Sequence, residues 1–314
     1  MNLKFFSTAM LICAVIFFAS AKSFAAEFEL VSYSAQVKLH WLSTTGMPEA
    51  QKILKELGTP NIYGKDNLKD YARLEKLNGI YQELCYASTA EYVRKNDYRN
   101  IMDIGGGYTP RAINFVNEGR NYIGAELTAV AISAMQVMPK FIDPKYKNNL
   151  SYENVPVEDR NVMTLTANRF KGKLCIIEDG LMIYLTRERA YAMFSIVRDI
   201  LKNHGGCFIT SDFVTRDMFK DLATAFYGEK YAQSLYNKTK AMYENLFGEP
   251  LKDNTFTSQA DAIKFLQSKG LKVQPVPLIT DTSKLYSLKS LNPHQSAALK
   301  EICAKNYLWV ITAE

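Results

Sequence analysis

The sequence contains few of the residues that bind metals. It has three histidines, His40, His204 and His294, which lie far apart along the 314 residues. No two cysteines have the C-x-x-C spacing of a zinc site. The pattern therefore predicts no metal site.

Long runs of like charge are also missing. The formal net charge is +6, and two of the positive charges, Lys4 and Lys22, lie within the first 25 residues. The other basic residues are interspersed with acids, so charge gives no support to nucleic-acid binding.

With no repeat, low-complexity tract or linker, the chain length favours a single α/β core with a helical attachment.

One apolar run stands out near the start of the sequence. It extends from Phe5 to Ala19, follows a positively charged start, and precedes small residues at Ser23 and Ala25. This order predicts an export signal over residues 1–25, with cleavage near Ala25 and a periplasmic or secreted body. The run is short for a spanning helix. A membrane-anchored protein with an uncleaved leader is the alternative.

Four cysteines follow the predicted signal, and an even number in an exported protein invites disulfides. However, Cys175 and Cys207 lie in apolar, strand-like runs, where free cysteine packs as a small hydrophobic residue. We expect both to be buried thiols on neighbouring strands, with no bridge between Cys85 and Cys303.

After residue 98, apolar periodicity predicts strands that alternate with helices. The strands are predicted at 99–104, 121–125, 150–157, 174–177 and 207–211, with two closing strands at 271–276 and 307–312. This alternation is typical of an α/β, Rossmann-like, doubly wound, mostly parallel sheet. Residues 26–98 are predicted to form an N-terminal helical segment that packs on the core domain, 99–314.

A helical insertion is predicted after the fifth strand, at about residues 216–250. It is rich in aromatic residues at helical spacing. The region is interpreted either as a helical lid over an acceptor pocket or as ordinary core packing, the more common fate of such aromatics.

The most informative segment is I-M-D-I-G-G-G-Y-T-P-R, at residues 101–111. An apolar strand ends in three glycines before a helix, so backbone can approach a ligand and the helix start offers free N–H groups. Glu126 lies 23 residues after Asp103, at the end of the second strand, where a carboxylate can accept both hydroxyls of a ribose. An ordinary strand-to-helix turn is the alternative. The pattern predicts a ligand site that includes Asp103, Gly105, Gly107 and Glu126.

A nicotinamide dinucleotide competes with S-adenosyl-L-methionine for this site. Its G-x-G-x-x-G pattern requires a small residue where the sequence has Pro110. S-adenosylmethionine has no pyrophosphate and needs no third glycine, so the sequence favours the methyl donor. A nicotinamide-dependent oxidoreductase is the weaker alternative.

Several segments resemble the leucine carboxyl methyltransferase family and its bacterial small-molecule O-methyltransferase relatives, which are class I methyltransferases. The resemblance covers residues 65–312. It is carried by Tyr71-Ala72-Arg73, by the glycine turn (G-x-G-x-D-T-R in the family), by E-D-G-L-M-I-Y-L at 178–185 (E-G-L-L-M-Y-L in the family), and by L-W-V-I-T at 308–312. The sequence departs from the family at Thr109-Pro110, at the shorter Asp179, and before Tyr71.

The resemblance implies S-adenosyl-L-methionine as the cofactor and assigns roles to individual residues. Arg73 would bind the donor's carboxylate, a task suited to its planar fork of N–H groups. Gly105 and Gly107 would border the donor's methionine part. Glu158 would lie near the adenine, and Asp179 near the donor's amino group.

Methyl transfer is an in-line displacement that depends chiefly on alignment. A carboxylate acceptor needs no general base, whereas a hydroxyl benefits from one. Tyr184 and Asp212 follow the fourth and fifth strands and are the candidate catalytic residues. With no histidine placed as a base, the sequence favours an acidic acceptor or catalysis by positioning. The family resemblance implies O-methylation of a small-molecule or carboxylate acceptor.

Export would separate the protein from a donor that is made in the cytoplasm. The alternative from another functional class is therefore an exported, non-catalytic module that binds a nucleoside or other ligand on a methyltransferase fold. It predicts ligand binding without methyl transfer. The sequence does not define the oligomeric state.

Overall fold

The computed structural model describes residues 33–60, 68–211, 213, 215–247, 256, 258–279 and 281–314. The predicted export signal and the candidate catalytic residue Asp212 lie outside the described residues. Within the described ranges, every helix is too short or too polar to cross a bilayer.

A seven-stranded sheet forms the centre of the described structure. Its strands are β1 (Asn100–Ile104), β2 (Asn121–Glu126), β3 (Leu150–Asn154), β4 (Leu174–Glu178), β5 (Gly206–Thr210), β6 (Leu271–Pro277) and β7 (Tyr307–Ala313). Their order is β3-β2-β1-β4-β5-β7-β6. The first five strands are parallel, and β7 runs antiparallel to both β5 and β6. The predicted Rossmann-like, doubly wound, mostly parallel sheet is confirmed.

The order of the strands defines where a ligand can bind. The chain moves from β1 outwards to β2 and β3, then returns to the other side of β1 to form β4 and β5. The reversal between β1 and β4 leaves a crevice outside their carboxyl ends, and doubly wound sheets bind their ligands there. The glycine turn and the segment that follows β4 therefore border the same crevice.

Helices cover both faces of the sheet. They are α1 (33–44), α2 (Pro48–Leu57), α3 (Leu68–Lys95), α4 (Arg111–Asn117), α5 (Thr128–Val137), α6 (Arg160–Ala167), α7 (Arg187–His204), α8 (Thr215–Tyr227), α9 (Glu229–Phe247), α10 (Gln259–Gln267) and α11 (Pro293–Lys305). Helices α1 to α5, α8 and α11 bury apolar residues in one core layer. Helices α6, α7 and α10 bury theirs in the other.

Helix α3 is long enough to reach past the carboxyl edge of the sheet. Thr89 contacts Asp179, the residue after β4, so Thr89 lies at the carboxyl edge of the sheet. Residues 68–88 of the same helix therefore extend beyond this edge by up to about 30 Å. Helix α1 packs closely on this part of α3 at Gly79. A Cβ there would lie 2.8 Å from the Trp41 carbonyl oxygen. This contact holds α1 over the carboxyl ends of the strands.

The aromatic region after β5 divides into two helices with different environments. In α8, Phe219 and Phe226 are buried, and the Phe219 ring packs edge-to-face on Tyr81 of α3 at 6.4 Å. In α9, Tyr231 is 47% exposed. The α8 aromatics therefore belong to the core, whereas a lid role for α9 stays a prediction.

The cysteines and the third strand test two finer predictions. Cys85, Cys175, Cys207 and Cys303 are all buried, unbridged thiols. Cys175 and Cys207 lie opposite each other on β4 and β5, with 3.9 Å between their Sγ atoms. Strand β3 was predicted to reach Val157 but ends at Asn154, because its partner β2 ends at the opposite residue, Glu126.

Candidate functional site

The glycine turn bends tightly between β1 and α4. Gly105 and Gly107 both have φ of +64°, in the left-handed region that favours glycine. Gly106 must be glycine for a steric reason, because a Cβ there would lie 2.6 Å from the carboxylate carbon of Asp103. The turn thus rests directly on the Asp103 side chain.

Glu126 is the last residue of β2 and points its carboxylate at this turn. It is 5% exposed, and its Oε1 accepts a hydrogen bond from the Gly107 N–H at 2.5 Å. Burial raises the pKa of Glu126 to about 8, and nearby Asp103 adds to the rise, while the Gly107 bond and Lys38 oppose it. The carboxyl is therefore largely protonated at neutral pH. Hydroxyl donors placed beside it would favour the charged form.

Helix α1 covers the crevice from above. A Cβ on Gly107 would lie 3.0 Å from the Cβ of Ala35, so α1 rests on the turn. The Lys38 ammonium donates to the backbone carbonyl of Asp179. It also lies 3.4 Å from where a Cβ on Gly180 would stand. Helix α1 therefore spans the gap between the end of β1 and the end of β4.

Asp179 lies beside the crevice, with its side chain turned into the protein. Its Oδ1 accepts from the Ser211 hydroxyl at 2.8 Å. Its Oδ2 accepts from Arg111 at 2.5 Å and from Thr89 at 3.3 Å. The carboxylate therefore anchors the end of β4, and the backbone carbonyl is the group that faces Lys38.

Asp103 is enclosed beneath the turn. Its Oδ2 accepts from Arg111 Nη1 at 2.8 Å and from the Tyr122 hydroxyl at 2.7 Å. The side chain is fully buried. This placement makes Asp103 a support for the turn. Direct contact between Asp103 and a ligand stays a prediction.

Glu178 also shapes the site, although the sequence motifs assign it no individual role. Its Oε1 accepts from the backbone N–H groups of Leu181 at 2.7 Å and Met182 at 3.2 Å. Its Oε2 accepts from the Thr210 hydroxyl at 2.7 Å. The buried carboxylate caps the short 3-10 turn Met182–Tyr184, and it joins that turn to β5. Tyr184 lies at the end of this turn and is partly exposed.

Two residues that were predicted to contact the methyl donor pack against other helices instead. The Arg73 guanidinium lies 5.6 Å from the ring centroid of Tyr227 and 4.8 Å from that of Tyr231, against the helices after β5. Glu158 forms an ion pair with Arg189 of α7. The structure thus brings together Gly105, Gly107, Glu126, Asp103 and Asp179, and it adds Lys38 and Arg111.

The described residues contain no cluster of three or more histidine, cysteine, aspartate or glutamate side chains that could hold a metal. The groups that face the crevice are the Glu126 carboxyl, the Lys38 ammonium and the backbone carbonyl of Asp179. They suit a ligand that carries hydroxyl, carboxylate and ammonium groups.

No family model and no curated protein matches the sequence. Solved structures resemble the fold. The magnesium protoporphyrin IX methyltransferase of Synechocystis PCC 6803, with bound S-adenosylmethionine, is 13% identical over 81% of this chain and 87% of its own, with a TM-score of 0.43. The glycopeptide N-methyltransferase MtfA is 11% identical over 72% of this chain and 89% of its own, with a TM-score of 0.43. At these identities and TM-scores the likeness assigns neither an activity nor a substrate to this protein.

Proposed function

We propose that this protein is an S-adenosylmethionine-dependent methyltransferase that methylates a small molecule at a hydroxyl or carboxylate oxygen. The observation that carries the proposal is the buried Glu126 carboxyl at the end of β2, which accepts from Gly107 in the turn after β1. A carboxylate in this position can accept the two hydroxyls of a ribose. Such bonds would offset the cost of ionising a group whose pKa burial has raised.

The donor's orientation follows from placing its ribose at Glu126. Its methionine part then passes the glycine turn towards the end of β4. There the Asp179 carbonyl, which accepts from Lys38, can accept instead from the donor's ammonium group. The Lys38 ammonium is then free to pair with the donor's carboxylate. We assign the carboxylate to Lys38 because Arg73 is stacked on Tyr227 and Tyr231.

The acceptor would approach from the space beyond the carboxyl edge, between α1, the first half of α3, and α8 and α9. When bound, S-adenosylmethionine supplies an activated methyl group, and the protein's task is to align it with the acceptor oxygen and exclude water. The described histidine on α1, His40, is already bonded to Glu75 at 2.9 Å. A carboxylate acceptor would need no histidine base, whereas a hydroxyl would benefit from one.

Calorimetry of the full-length protein with S-adenosylmethionine, S-adenosylhomocysteine, adenosine and NAD tests the proposal. We expect both sulfur-containing ligands to bind and NAD not to bind. Glu126→Ala should weaken S-adenosylmethionine by roughly ten- to a hundredfold, because a charge-assisted hydrogen bond contributes about 1.5–3 kcal/mol. Gly105→Val should be worse, because a branched side chain resists a positive φ.

The matched control is Glu301→Ala, which removes a carboxylate that is 73% exposed on α11 and should leave binding unchanged. NAD binding without S-adenosylmethionine binding would overturn the proposal. Tight donor binding with no transfer of a labelled methyl group to any acceptor in a panel of hydroxy and carboxylic acids would instead point to a non-catalytic binding module.

A further inference from the structure

Arg111 lies at the centre of a buried ion network beneath the site. It is the first residue of α4 and is 1% exposed. Its Nη1 donates to Asp103 at 2.8 Å, and its Nη2 donates to Asp179 at 2.5 Å and to Thr89 at 2.9 Å. One side chain therefore connects α4 with β1, with the end of β4 and with α3.

The charges of this network depend on one another. Burial alone would lower the pKa of the Arg111 guanidinium, but Asp103 and Asp179 outweigh it and hold that pKa above its ordinary value. Conversely, the two buried carboxylates depend on Arg111, because an uncompensated buried charge is strongly unfavourable. The planar guanidinium offers separate N–H groups to separate acceptors, and a lysine ammonium cannot reproduce that geometry.

The two carboxylates hold the two walls of the crevice. The Asp103 carboxylate packs directly against Gly106, so the position of Asp103 determines the position of the glycine turn. The Asp179 side chain anchors the residue whose carbonyl faces Lys38. Arg111 bonds to both, and it does so across the point where the strand order reverses, between β1 and β4. Its geometry therefore fixes the separation of the walls.

We propose that Arg111 is a positioning residue for the donor site, which sets the Asp179 wall of the crevice against the glycine turn. The inference rests on the proposed function. It predicts that disturbing Arg111 affects ligands that reach the Asp179 wall more than ligands that contact only Glu126. S-adenosylmethionine belongs to the first group, and adenosine, which lacks the amino-acid part, belongs to the second.

The test compares Arg111→Lys with the control Arg94→Lys in the full-length protein. Arg94 is 43% exposed and bonds a single carboxylate oxygen of Glu118, so lysine can replace it. Calorimetry should show that Arg111→Lys weakens S-adenosylmethionine by roughly tenfold or more, while adenosine changes by less than about threefold. Arg94→Lys should change neither affinity.

A second variant covers the case in which Arg111→Lys does not fold. Thr89→Val removes one acceptor of Arg111 while keeping the shape of the side chain. It should weaken S-adenosylmethionine by roughly two- to fivefold and spare adenosine. A purely structural role would instead lower both affinities together and reduce the melting temperature.

The outcomes separate the two proposals. If the wild-type protein binds no S-adenosylmethionine, the proposed function fails, and the role given to Arg111 fails with it. If the wild type binds the donor and folded Arg111→Lys or Thr89→Val binds it equally well, the proposed function stands and the positioning role is overturned. Equal losses for S-adenosylmethionine and adenosine would also overturn that role.

Discussion

Among single residues, Glu126 is expected to make ligand binding depend on pH. Its carboxyl has a pKa of about 8, mainly because it is buried. Ribose hydroxyls would favour the ionised form, so binding would release a proton below pH 8. The affinity for S-adenosylhomocysteine should therefore rise by roughly tenfold per pH unit from about pH 6.5 to pH 8, then level off.

Glu126→Gln is the control for this pH dependence. The amide keeps the size of the side chain but does not titrate, so its affinity should stay nearly flat across the same range. Calorimetry at constant ionic strength, with buffers of different ionisation enthalpy, measures both the affinity and the number of protons released. A wild-type affinity that is equally flat would show that Glu126 does not exchange its proton on binding.

The sequence predicted some site residues and missed others, for a physical reason. Glu126 and the glycines lie within one strand-turn-helix-strand unit, so spacing along the chain is enough to relate them. Arg111 bonds Asp179 across 68 residues, and Lys38 bonds the same residue across 141. The glycine motif contains Arg111 but does not indicate its partner Asp179, and nothing in the local sequence distinguishes Lys38 from a solvated cation on a helix surface. Only the packing of α1 and the sheet brings them to the crevice.

Among the elements, α1 and α3 offer competing cations for the donor's carboxylate. The family resemblance implies Arg73 on α3, whereas the geometry favours Lys38 on α1. Lys38→Met should weaken S-adenosylmethionine by roughly tenfold and leave adenosine nearly unchanged, because only the donor carries the carboxylate. Arg73→Met should have little effect on either ligand.

This pair of variants is informative because both remove one positive charge and leave the same unbranched, uncharged side chain. Each protein should melt close to the wild type before its affinities are compared. A loss of donor affinity in Arg73→Met, with Lys38→Met unaffected, would restore the assignment that the family resemblance implies.

The strands were more predictable than the helical regions around them. Buried parallel strands are short apolar runs, and the five that make up the parallel part of the sheet were located from those runs. Helical periodicity shows that a face is apolar but not what covers it. For this reason the aromatic region after β5 could not be divided by sequence into the buried side chains of α8 and the more exposed Tyr231 of α9.

For the whole molecule, the same carboxyl predicts how global stability depends on pH. The pKa of Glu126 is about 8 in the folded protein, against an ordinary pKa of 4.5 for an exposed glutamate carboxyl. Between these values the folded state keeps a proton that the unfolded state releases. Its contribution to stability is therefore complete below about pH 4.5 and is lost as the pH rises towards 8, by about 1.4 kcal/mol per pH unit.

Urea unfolding at several pH values between 5 and 8 measures this slope. Because other groups also titrate, the informative quantity is the difference between the wild type and Glu126→Gln. The wild type should lose stability relative to the variant as the pH rises. Parallel curves for the two proteins would mean that Glu126 is not held in its protonated form.

Export, by contrast, stays a prediction from the leader's sequence, because its residues lie outside the described structure.

The antiparallel strand β7 has a consequence for the order in which the chain can be assembled. Strand β6 precedes β7 in the sequence, yet it pairs with β7 and is separated by it from β5. During synthesis, β6 therefore emerges with no partner and cannot join the sheet until β7 follows it. The sheet stays incomplete for as long as the ribosome is making these last segments.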